Sequence, residues 1–113
     1  MTEKFTKRAY LTLFNLLDLK FNKTSDKELG RLLSNMNPNT FINDTSADSA
    51  CYEDFCDCAD NFENNEITSA YSVSIKFLEM YCNDFGFEIQ KVIDDISLKE
   101  YETLFAETNK SEL

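Results

Sequence analysis

The sequence predicts an all-α protein, a compact bundle of five to six short-to-medium helices forming one domain over residues 1–113. Three observations carry this expectation. Only two glycines and one proline occur in 113 residues, and so few chain breakers favour helices with short connections over a strand-and-turn architecture. Hydrophobic residues make up 42% of the chain, ten of them phenylalanine, which is enough apolar surface to offset the entropy of ordering one core. The apolar residues also recur at helical spacing along most of the length.

The first helix is expected over about residues 4–22, because Ala9, Tyr10, Leu13, Phe14, Leu16, Leu17 and Phe21 share one broad side. Lys4, Lys7 and Arg8 before this apolar run give it a superficial likeness to a signal peptide. Asp18 and Lys20 interrupt the run, however, and no small-residue cleavage site follows. It is also too short and too charged to span a bilayer. It reads as the first core helix, and the chain as cytoplasmic. The second helix, about 26–36, has a buried edge of Leu29, Leu32, Leu33 and Met36. "SDKE" at 25–28 predicts a capping box there, with the Ser25 hydroxyl accepting from a first-turn amide and Glu28 reaching back.

"NPNTFINDT" (37–45) predicts a loop, with Phe41 and Ile42 tucked inward. A third helix follows at about 49–63, capped by Asp48. Thr68 is the expected cap of a fourth helix, about 69–84, and Gly86 fits its left-handed stop. Phe87, Ile89, Val92, Ile93 and Ile96 give a short helix over 87–96. "SLKE" at 97–100 is a second capping box, opening a last helix through Leu98, Tyr101, Leu104 and Phe105. The tail from about 108 to 113 is expected to fray.

The stretch "SADSACYEDFCDCADNF" (46–62) holds three cysteines and five acidic residues. At about 100° per residue, Cys51, Phe55, Cys58, Ala59 and Phe62 fall on one stripe, and Glu53, Asp54, Asp57, Asp60 and Glu63 on the opposite half. One amphipathic helix therefore accounts for both patterns, with the thiols acting as small hydrophobes. Cys56 stands at the edge of the stripe, and Cys82 beside Leu78 and Phe85 on the fourth helix.

Sharper chemistry fits less well. Zinc sites use closely spaced cysteine pairs with a second pair or histidines; Cys51 and Cys56 point differently on a helix, and the chain has no histidine. Cysteines on one helix do not bridge easily, and a cytoplasmic home keeps thiols reduced. "DTSADSACYEDF" (44–55) starts like a calcium loop, but Ser49 stands where glycine is needed and Phe55 where a bidentate glutamate should be. Without histidine there is no Ser–His or Cys–His pair, and no glycine-rich phosphate loop occurs. Asp94 and Asp95 read as a solvated face. The expectation is a non-enzyme with no cofactor and no metal.

Charge then points outward. The net charge of −10 disfavours nucleic acid and anionic membranes as partners and favours basic ones. No lysine or arginine occurs between Arg31 and Lys76, while that interval holds Asp44, Asp48, Glu53, Asp54, Asp57, Asp60, Glu63 and Glu66. Like charges at i, i+4 destabilise an isolated helix by roughly a few tenths of a kcal/mol each. A single lysine would have relieved this. The expected partner-binding residues are therefore Glu53, Asp54, Asp57 and Asp60, with Asp44 and Glu63 at the margins.

The combination "LGRLLSNM…DTSADSACYEDF" and then "ITSAYSVSIKFLEMYCNDFG" resembles the small immunity proteins of bacterial contact-dependent growth-inhibition systems. The matching positions are Ser46, Ala47 and Asp48, then Tyr52 to Phe55, then Thr68, Ala70, Phe77, Leu78, Glu79 and Tyr81, within residues 29–96. Ser49 departs from the proline common in that family at the first helical turn, a position where serine is tolerated. The resemblance implies a cytoplasmic protein that binds and neutralises the C-terminal toxin domain delivered by a sibling cell. Such toxins are often nucleases, whose clefts are basic because their substrates are polyanions. The motif residues themselves read as caps and core, so the contact surface rests on the charge argument. Two other classes fit the same chain: an acidic adaptor or nucleic-acid mimic for another basic protein, and a structural helical domain that pairs with itself or another subunit.

Overall fold

Residues Glu3–Thr24 form α1, the longest of six helices in a computed structural model that describes residues 1–37 and 49–112, with side chains described over 1–37 and 50–108. The others are α2 (Lys27–Met36), α3 (Ser49–Ala59), α4 (Ile67–Asp84), α5 (Gln90–Asp95) and α6 (Leu98–Glu112), and no strand occurs among the described residues. The protein is an all-α bundle. The loop with Phe41 and Ile42, and the Asp48 cap, lie outside the described residues.

Helix α1 is the axis of the molecule and packs against α2, α3, α4 and α6. Its burial extends beyond one face: Leu11 and Thr12 are buried alongside Ala9, Tyr10, Leu13, Leu16 and Leu17. Phe14 and Phe21 are only half-buried at the core's margin. The helix starts earlier than its apolar pattern indicates, because the Thr2 hydroxyl caps it by accepting from the Phe5 amide at 3.2 Å.

Two caps differ from the sequence expectation. Ser25 does not cap α2. It ends α1 in the left-handed region (φ 53°), donating its N–H to the Phe21 carbonyl at 2.7 Å. Asp26 caps α2 instead, accepting from the Leu29 amide at 3.0 Å. Glu28 is drawn away to Arg31 at 3.1 and 3.2 Å, and accepts the Glu88 N–H at 3.3 Å. Thr68 is not a cap either. Helix α4 begins at Ile67, so Thr68 lies in its first turn, and Glu66 holds the cap position without a side-chain bond.

The remaining signals place the other ends. Gly86 lies just past α4 in the left-handed region (φ 74°). The "SLKE" box forms as the pattern predicts: Ser97 Oγ accepts the Glu100 N–H at 3.2 Å, and Glu100 Oε1 accepts the Ser97 N–H at 3.1 Å. Helix α5 is shorter than expected, yet Phe87, Ile89, Val92, Ile93 and Ile96 are all buried. Helix α6 continues through Glu112.

The core is aromatic at its centre. Tyr10 meets Tyr52 and Phe55 edge-on at 5.2 and 5.3 Å between ring centroids, and Phe55 meets Phe77 at 5.5 Å. The buried hydroxyls find partners: Tyr10 donates to the Met36 carbonyl at 3.0 Å and Tyr101 to the Ala9 carbonyl at 3.0 Å, while Ser74 stands 3.0 Å from the Tyr101 hydroxyl. Arg8 ties α1 to α6, donating to the Phe105 carbonyl at 2.8 and 3.2 Å with its guanidinium 3.7 Å from the centre of the Phe105 ring.

Candidate partner-binding surface

Helix α3 is pinned by its apolar stripe. Cys51, Phe55, Cys58 and Ala59 are buried, as their spacing predicts, and Tyr52 joins them against Tyr10. Packing against α1, α2 and α4 leaves one side facing water. Glu53, Asp57 and Asp60 are all exposed there, at i, i+4 and i+7, so their carboxylates run down a single stripe. Beyond Ala59 the chain turns, with the Asp60 N–H bonded to the Cys56 carbonyl at 3.0 Å and the Phe62 N–H to the Ala59 carbonyl at 2.9 Å. Glu63 follows, exposed, off the helix rather than on the longer one expected.

Asp54 behaves differently from its neighbours. It is half-buried, and its Oδ2 accepts a hydrogen bond from the Tyr81 hydroxyl at 2.8 Å. Tyr81 is buried on α4, also 3.3 Å from Cys51 Sγ. One hydroxyl proton serves one strong acceptor, and the carboxylate is the closer and charge-assisted one. Burial, reinforced by Cys51 and Asp54, pushes the Tyr81 hydroxyl far above its ordinary value, so it stays a donor. Asp54 thus joins α3 to α4, while the acids at 53, 57 and 60 face outward. The sixth expected residue, Asp44, lies outside the described residues.

The electrostatics of this face are locally unfavourable. A helix C-terminus carries partial negative charge and favours cations, by roughly 0.3–1 kcal/mol each. The last turn of α3 has no basic residue; it carries Asp57, and Asp60 follows directly. Folding brings two further charges near it that linear spacing does not reveal. Glu3 of α1 adds its negative field to those of Asp60 and Asp57 at Cys56, and Lys76 of α4 acts on Cys58. Nothing local in the sequence signals either approach, since both depend on how α1 and α4 pack on α3.

The thiols play a packing role. None of the four cysteines forms a disulfide; Cys51 and Cys58 are buried, Cys56 and Cys82 half-buried. Burial is the main cause that pushes the Cys56 and Cys58 thiols up, with the nearby carboxylates adding to it. Both are therefore held in the unreactive thiol form. Among the described residues, no group of three or more Cys, Asp or Glu side chains is arranged to hold a metal ion, and no helix is long and apolar enough to cross a membrane.

The residues that carry the family resemblance mostly build the core: Tyr52, Phe55, Ala70, Phe77, Leu78 and Tyr81 are buried, while Thr68 and Glu79 are exposed. The chain is thus an all-α bundle that displays a negative helix face. No known protein family, no curated protein and no solved structure matches it.

Proposed function

We propose that this chain is a cytoplasmic immunity protein of the contact-dependent growth-inhibition kind, which works by binding rather than by catalysis. Its partner is a cognate toxin domain with a basic surface, a nucleic-acid-cleaving one, because a cleft that holds a polyanion must be rich in lysine and arginine. The observation that carries the reading is the exposed stripe of Glu53 and Asp57 on α3, with Asp60 directly past its end, on an element whose other side is locked into the core. The stripe is repulsive within its own helix and unfavourable at the helix end, so it gains stability when cations from a partner settle on it. Its packed backing lowers the backbone ordering cost of docking.

Such a surface speeds encounter with a basic partner and excludes acidic ones. A protein seated on the same lysines and arginines as the nucleic acid competes directly with the toxin's substrate. The resemblance in residues 29–96 supports the same reading.

The reading predicts a toxin domain encoded beside this chain, and the test is co-expression with it, scored by pull-down and growth rescue. Glu53→Lys and Asp57→Lys together are expected to weaken the complex at least tenfold and to abolish rescue, with helical content unchanged. Full rescue by that double variant would overturn the assignment of the surface. Absence of any complex with the unaltered chain would overturn the function.

A further inference from the structure

We draw no further inference here: the strongest candidate, the shallow pocket between the start of α2 and the α4–α5 corner, lined by Asp26, Cys82, Phe87, Gln90 and Lys91 beside the exposed Phe85, carries nothing because nothing in the structure shows what covers it.

Discussion

Asp54 and Asp57 stand three residues apart on α3, and removing the partner of the first or reversing the charge of the second is expected to act in opposite ways. Tyr81→Phe removes the 2.8 Å hydrogen bond to Asp54 and leaves a half-buried carboxylate without that donor, a loss of about 1–2 kcal/mol in a denaturant titration. Asp57→Lys should leave stability unchanged or raise it by roughly a few tenths of a kcal/mol, because it ends a like-charge pair with Glu53 and puts a cation in the last turn. Partner affinity should show the reverse order, falling more for Asp57→Lys than for Tyr81→Phe. Helical spacing alone groups both acids as polar, yet on an ideal wheel Asp54 borders the apolar stripe whereas Asp57 lies well away from it. Which border residue meets a tyrosine depends on α4, and no local pattern in α3 carries that. Gly86 is simpler. Its left-handed φ of 74° has open space around it, so Gly86→Ala should cost about 1 kcal/mol through backbone strain alone.

At the scale of elements, two identical patterns have different outcomes. "SLKE" forms its box, while "SDKE" does not, although both read Ser-x-x-Glu. The reason is competition for one residue. Helix α1 runs to Thr24 and α2 starts at Lys27, so Ser25 must supply the left-handed reversal and Asp26 inherits the cap. Asp26→Ala should therefore cost about 1 kcal/mol, whereas Ser25→Gly should be neutral or stabilising, because glycine adopts that backbone without strain. Calorimetric melting of the two variants separates the roles. Helix identity was legible because periodicity is local. Helix ends were less so, because neighbouring elements share the residues that define them.

The α5–α6 corner is held to α1 by Lys20, whose buried ammonium donates to Asp95 Oδ2 at 2.7 Å, Glu100 Oε2 at 2.9 Å and the Asp95 carbonyl at 3.2 Å. Burial opposes its charge, but the two carboxylates outweigh that and raise its pKa overall. The Lys20 hydrogen bonds in turn hold Asp95 and Glu100 below the usual carboxylate range. A depressed carboxylate stabilises the fold above its unfolded pKa, and that contribution is lost as pH falls through the folded value. The raised Lys20 contributes below its unfolded pKa and is lost as pH rises through its folded one. Melting temperature should therefore drop on acidification below about pH 4. Lys20→Met should lower it at neutral pH and flatten the acid dependence. An unflattened acid limb in that variant would show that the corner is not held this way.

At the scale of the whole molecule, the fold was readable because six amphipathic segments left few architectures open. The burial of α1 beyond its apolar side was not. Leu11 and Thr12 fall off its apolar side and are covered only because α1 lies at the centre of the bundle. The same holds for the surface: the run of acids from 53 to 63 was visible, but the approach of Glu3 and Lys76 depends on tertiary packing. A net charge of −10 with the stripe on one rigid face makes association with a basic domain fast at low salt and steeply slower as salt screens it. The most direct test is stopped-flow association with the proposed partner, the toxin domain that this reading expects to be encoded beside the chain, across a range of ionic strengths, using the unaltered chain and the Glu53→Lys, Asp57→Lys variant. The account predicts a tight complex whose association rate falls with salt, and a slower rate with a shallower salt dependence in the variant. A rate indifferent to salt, or to the two reversals, would contradict it.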